Sequence, residues 1–167
     1  MNIFYTNTCP IQAADDHCTV HSRKMIVEYC QLLSTAHHVL DGDQAIDSIY
    51  KSTHQNHPSA IWIRKSTHHY NWLVKCLDRL LVNYGNATGK VHASTSKALL
   101  LVTHPINLLD NSWSNPPVVA PDEFKAMAVF ACPTIAYQQY LIVKFKEWSD
   151  REKVIKVLFY GDKPNWY

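Results

Sequence analysis

An all-α fold is what this sequence predicts, and three observations predict it. Only 4 of the 167 residues are glycine, too few for the tight turns of a many-stranded β-protein. Two long stretches, residues 11–41 and 59–84, contain neither glycine nor proline. In the second of them Tyr70, Leu73, Val74, Leu77, Leu80, Leu81 and Tyr84 recur at spacings of three and four, with Lys75, Asp78, Arg79 and Asn83 between them. At 47% hydrophobic and 18% charged the composition is that of a globular chain. A length of 167 residues suits a single compact domain, residues 1–167, of two long and several short helices.

The elements follow in order. Met1–Thr8 holds the apolar run Ile3-Phe4-Tyr5, readable as a strand or as an arm laid over the core. Pro10 suits a first helical turn, and Asp41-Gly42 is the next stop signal, so the first long helix is predicted over about residues 10–40. A weak short helix is expected at Gln44–Tyr50. Pro58 opens the second long helix, which runs to about Tyr84 with a break expected near Ser66. Gly85-Asn86-Ala87-Thr88-Gly89 reads as a turn, and His92–Val102 as a helix that ends before Pro105. Residues 104–122 carry four of the eight prolines and read as an irregular loop, long enough to suggest a lid. Pro133 starts the last long helix, with Tyr137, Leu141, Phe145 and Trp148 on one side. Val154–Tyr160 is ambiguous, and the aromatic tail after it is expected to pack back on the helices.

Composition also restricts function. No run of 18 apolar residues occurs, and the first residues lack a secretory pattern, so no membrane partner is expected and a cytoplasmic location is. The five cysteines show no CxxC pairing, and reduced thiols are expected. A net charge of +2 is far from that of a nucleic-acid coat protein. The charge is nevertheless uneven: residues 61–100 carry six Lys/Arg against one Asp/Glu, while residues 1–60 carry three against six. The ten histidines fall mostly in the first 92 residues.

The most informative pattern lies on the first long helix. At about 100° per residue, His21, Lys24, Glu28, Gln31, Thr35 and His38 all fall within roughly 60° of His17, one polar stripe along the helix. Gln12, Asp15, Asp16, Thr19, Ser22 and Arg23 lie opposite and form a solvent face of their own. The stripe is therefore expected to face inward, lining a cleft. A buried charged cluster is costly unless every member is satisfied, and working sites are where such clusters are tolerated. Desolvation beside imidazoles would make Lys24 an amine nucleophile, with Glu28 as acid/base and His17 and His21 adjoining. The His17-x3-His21 spacing is also that of a two-histidine metal site, although Lys24 would repel the ion and no cofactor or metal is expected.

Other candidates are substrate-binding. His54-Gln55-Asn56-His57-Pro58 stands at a helix entrance, where free N–H groups favour anions. Trp62 and Tyr70 could stack on a base, with Asn71 beside them. Arg23, Gln31, Lys90 and His92 complete the set, and Arg64, Lys65, Lys75, Arg79 and Lys97 add positive charge for phosphate.

The order Ala13-Ala14-Asp15-Asp16-His17, His21, Lys24-Met25, Glu28, Gln31-Leu32-Leu33-Ser34-Thr35-Ala36-His37, His54-Gln55-Asn56-His57-Pro58, Trp62, Ser66, Tyr70-Asn71-Trp72-Leu73 and Gly89-Lys90-Val91-His92 resembles a group of small bacteriophage proteins. The resemblance covers about residues 1–95. That group is in turn distantly similar to the phage pyrimidine dimer DNA glycosylases of the endonuclease V type. What the resemblance implies is a small all-α enzyme with an amine nucleophile, a catalytic Glu, and a His and arginines nearby on an early helix. Matching the motif keeps the histidine at His17 and an arginine at Arg23, but places Lys24 where the catalytic Glu belongs. The family nucleophile is an α-amine freed by loss of the initiator methionine, which Asn2 disfavours as a large second residue. The expectation is a phage-encoded enzyme of DNA repair or modification, acting on a flipped base in DNA or on a nucleotide in the infected host's cytoplasm. The alternatives are a metal-dependent nucleotide hydrolase using His17 and His21, and a non-catalytic phage binding or inhibitor module.

Overall fold

The computed structural model describes all 167 residues and is all-α. Its helices are α1 (Pro10–Asp15), α2 (Thr19–Asp41), α3 (Pro58–Ile63), α4 (Thr67–Thr88), α5 (Thr95–Leu100), α6 (Asp122–Phe130) and α7 (Pro133–Ser149). The one β-type contact is an isolated antiparallel bridge between Cys18 and Phe159. No helix is long and apolar enough to cross a membrane.

The first long helix predicted over residues 10–40 is two helices. The chain leaves helical geometry at Asp16–Cys18, where no glycine or proline signals it. The His17 imidazole takes the carbonyl of Ala13 at 2.7 Å, Ser22 Oγ donates to the His17 carbonyl, and the Thr19 N–H goes to Leu158 O at 2.7 Å. A side chain and the returning tail thus replace the hydrogen bonds that a continuous helix would have made. The predicted break near Ser66 is present, because Ser66 caps α4 by accepting from the His68 N–H. Helix α4 then runs through Gly85, four residues past the predicted end, and stops at Gly89, whose φ of 66° suits a glycine cap. The helix predicted at Gln44–Tyr50 is absent; only a 3-10 turn at Gly42–Gln44 forms there. Helix α5 is shorter than predicted, and α6 was not foreseen.

Helix α4 packs across α1 and α2, and α6 lies on α7. The buried face of α4 comprises Tyr70, Leu73, Cys76, Leu77 and Leu80, in the same register as the sequence periodicity. Burying each large side chain contributes roughly 1.5–3 kcal/mol. The N-terminal segment is an arm rather than a strand, with Ile3, Phe4 and Tyr5 in the core. The tail packs back as expected: Tyr167 sits 5.2 Å from the Phe145 ring, and Trp166 Nε1 donates to Asp16 at 3.0 Å.

Residues 104–122 form a fastened strap rather than a free lid. Ser66 Oγ donates to Asn111 O, Ser114 N donates to His69 Nε2 at 2.9 Å, Trp62 Nε1 donates to Ser114 O at 2.9 Å, and Val119 N donates to Tyr137 Oη at 3.1 Å. Its start is held by buried Asp41, whose carboxylate accepts from the backbone N–H groups of Ile106 and Asn107, both at 3.0 Å. Asp41→Ala would leave both N–H groups unpaired and is expected to cost about 2 kcal/mol. Thermal unfolding should read this as a fall in Tm of roughly 4–8 °C, and limited proteolysis should cut first within residues 104–110.

Candidate functional site

The N-terminal arm meets the stripe of α2 at His21 and Glu28 and the segment before α3 meets it at Thr35 and His38, while Lys24 faces water. The members of the stripe differ sharply in what they do there. His17 is not on the helix but in the turn before it, 3% exposed, with Nδ1 donating to Ala13 O and Nε2 accepting from Tyr29 Oη at 3.1 Å. Burial pushes its pKa down to about 4. With both nitrogens engaged, His17 holds the α1–α2 turn and has no free edge for a substrate. Tyr29 Oη also accepts from the Phe4 N–H at 3.4 Å, tying the arm to the same network. Tyr29→Phe should cost about 2 kcal/mol in urea unfolding by orphaning both groups.

His21 is 4% exposed among the rings of Phe4, Trp148 and Phe145, with centroids at 4.6, 5.0 and 5.6 Å. Its pKa is pushed down to about 3, first by burial and then by the charges of His17, Lys144 and Lys24. Nδ1 of His21 has no hydrogen-bond partner.

Glu28 and Lys24 pair at 3.3 Å, but unequally: the lysine side chain is 69% exposed and the carboxylate 13%. The burial expected of Lys24 is therefore not found: it lies between His21 and Glu28, both met by the arm, yet its own side chain projects into water. Glu28 Oε2 accepts from the Asn2 N–H at 3.1 Å and stands 3.9 Å from the Met1 ammonium. Further along the stripe, Thr35 is bonded to Thr53 and His38 Nε2 to Tyr50 O, so the second half of α2 receives the segment before α3. Gln31 is half-buried between these halves.

Beside Glu28 opens a cavity of about 400 Å³, lined by Phe4, His21, Lys24 and Glu28 and, from α7, by Tyr140, Lys144 and Trp148. The sequence does not single out these α7 residues as a site; it places Trp148 only on one side of that helix with Tyr137, Leu141 and Phe145. Their spacing of four, Tyr140-x3-Lys144-x3-Trp148, is the signal that could have found them. Lys144 Nζ lies 3.3 Å from Tyr140 Oη and 5.9 Å from the Trp148 ring centre.

The remaining predicted substrate-binding residues are scattered. His57 caps α3 by accepting from Ser59 N at 3.2 Å; its pKa is lowered by burial, then by the N-terminal ammonium and His54, while Glu28 opposes. It thus lies within electrostatic reach of Glu28. His54 is exposed, with φ of 49°, and Nδ1 is bonded to Thr53 Oγ1 at 2.6 Å. Trp62 stacks on His69 at 4.2 Å, and Tyr70 is fully buried with Oη donating to Leu101 O at 2.9 Å, so both are core and strap anchors rather than stacking platforms. Arg23, Asn71 and Lys90 are exposed and line no part of this cavity. His92 is half-buried, accepts from Ser94 N at 3.1 Å and packs on Tyr84.

A larger cavity, about 740 Å³, separates α1 and α4 from the tail. Two of its three carboxylates are already satisfied, Asp15 by Arg79 at 2.7 and 3.1 Å and by Asn83 at 2.7 Å, and Asp16 by Trp166, while Asp162 is exposed. It is a polar seam that holds the tail. Nowhere do three or more His, Cys, Asp or Glu side chains come together as a ligand set for a metal ion. Comparison with protein-family models, with curated proteins and with solved structures finds no match.

Proposed function

We propose that this chain is a phage-type nucleic-acid-modifying enzyme that hydrolyses an N-glycosidic bond, with Glu28 as the acid/base group. The observation that carries this reading is a largely buried carboxylate at the wall of a 400 Å³ cavity that also presents the half-buried ring of Tyr140 above a floor of Phe4 and Trp148. The volume falls in the usual range of small-molecule sites, and a base extruded from its stack needs such aromatic walls. Glu28 takes a proton from a water whose oxygen attacks the anomeric carbon; the electron pair of the C–N bond leaves with the base, and the proton follows to the base nitrogen. The charge that develops on the sugar lies beside the carboxylate, which stabilises it. The resemblance of residues 1–95 to the glycosylase-like phage group supports the same reaction class. Water rather than Lys24 is the attacking group, because Lys24 is 69% exposed and ion-paired.

The test is release of free base from a panel of modified and lesion-bearing DNA and of nucleotides, with borohydride present in parallel. Base release without a trapped adduct is the expected result; a trapped adduct would assign the attack to an amine. Neither release nor adduct across the panel would overturn the reading. One observation favours a non-catalytic binding module instead: both Glu28 oxygens already have partners, Lys24 on one and the Asn2 N–H on the other. Tight ligand binding with the ligand recovered unchanged would be its signature. The metal-dependent hydrolase built on His17 and His21 has no such support, since His17 has both nitrogens engaged.

A further inference from the structure

The cavity beside Glu28 has a charge pattern that the N-glycosidic reading does not use. Lys24 from α2 and Lys144 from α7 both line it, against one carboxylate. Lys144 is held by the Tyr140 hydroxyl at 3.3 Å and by the ring faces of Tyr140 and Trp148 at 5.3 and 5.9 Å, not by an acid. His21 lines the same cavity, 4% exposed and with an unpartnered Nδ1. All three groups line the one cavity, and both ammonium groups lower the basicity of that imidazole. Two ammonium groups from different helices, with an unsatisfied imidazole and aromatic side chains lining the same cavity, suit an anionic group joined to a flat ring.

We infer that this cavity takes a free nucleotide, its phosphate held by Lys24 and Lys144 and its base against the half-buried ring of Tyr140, with Trp148 and Phe4 as the buried floor. This rests on the N-glycosidic reading for the reaction but names a different substrate from duplex DNA. Two observations favour the free nucleotide. The cavity, about 400 Å³, has room for a small molecule and little more. The other cations of the basic middle segment lie elsewhere and several are engaged: Arg79 with Asp15, Arg64 with Gln55 O, and Lys97 over the Tyr50 ring. A duplex binder neutralises on the order of 6–10 phosphates along a continuous track, and a net charge of +2 with these pairings does not supply one.

The experiment is calorimetric titration of the intact protein with each deoxynucleoside 5′-monophosphate, the matching nucleosides, inorganic phosphate, and single-stranded and duplex 20-mers. A parallel NMR titration follows the indole N–H signal of Trp148, assigned with Trp148→Phe. At least one monophosphate should bind tenfold or more tightly than its nucleoside and move the Trp148 signal. Lys144→Gln and Lys24→Gln, with unchanged circular dichroism, should each remove most of that tenfold difference, and the 20-mers should bind no more tightly than the nucleotide. Tight, steeply salt-dependent duplex binding without monophosphate binding overturns the inference, and so does a tenfold preference that survives in Lys144→Gln. Base release from DNA alone would leave the N-glycosidic reading standing while this inference falls; nucleotide binding without base release does the reverse.

Discussion

Lowering the pH from 7 to 5 is expected to remove about 4 kcal/mol of folding stability through His17 and His21 alone. Both imidazoles bind a proton near pH 6.5 in the unfolded chain, but only near pH 4 for His17 and pH 3 for His21 in the fold. The unfolded state therefore holds more protons between these values. Stability is full above pH 6.5, declines as the pH falls through 6 and 5, and stops declining only below the folded values. At pH 5 each histidine contributes about 2 kcal/mol to the loss. The groups that face them set the direction. Burial is the largest cause for both; Lys24 and Lys144 add to it at His21, while Asp16 and the Ala13 carbonyl oppose it at His17 without overcoming it. Urea unfolding at pH 7 and pH 5 measures the difference. His21→Phe, which keeps a ring among Phe4, Phe145 and Trp148, should remove roughly half of the pH dependence, and an equal unfolding midpoint at both pH values would refute the assignment.

These two residues also show what was legible in the sequence. Helical periodicity put His21 and Glu28 on one face, but the opposite side expected in water is not there: Asp16 and Ser22 are 3% and 1% exposed and Ile26, Cys30 and Leu33 are fully buried, so α2 is covered on both sides. The same wheel included His17, yet the helix is interrupted at Asp16–Cys18 by bonds to Ala13 O and from Thr19 to Leu158 O, contacts that span up to 139 residues and leave no local mark. Lys24 lies close to the angular position of Glu28, and the arm passes both, yet one is a largely buried carboxylate and the other a solvated amine. Periodicity fixes direction, not depth. Trp62 and Tyr70 were open between stacking platforms and core; the partners that decide for core, Ser114 O and Leu101 O, come from the strap and from the end of α5. The α7 wall of the cavity was missed for a related reason. Tyr140, Lys144 and Trp148 share a face with nothing distinctive about it until the arm and α2 are set against it.

Glu28→Gln is expected to lower base release by 10²-fold or more while leaving the fold intact, the effect typical of losing a general acid/base group. Glutamine is nearly isosteric, and its side-chain oxygen can still accept from the Asn2 N–H that Glu28 Oε2 accepts at 3.1 Å. What disappears is the charge. The ion pair with Lys24 is lost at little cost because that lysine is 69% exposed, but the Met1 ammonium, 3.9 Å away on a residue whose side chain is 4% exposed, also loses its acidic partner, so stability should fall by roughly 1–2 kcal/mol. A large activity loss with a modest stability loss therefore separates a catalytic Glu28 from one that merely fastens the arm. Glu28→Ala makes the contrast sharper, because it also orphans the Asn2 N–H and should add roughly 1–2 kcal/mol of destabilisation. If Glu28 only anchors the arm, base release should track stability: less reduced in Glu28→Gln than in Glu28→Ala. If it moves the proton, both variants should be equally inactive despite their different stabilities. Measuring base release and urea unfolding on the same two proteins decides between these outcomes.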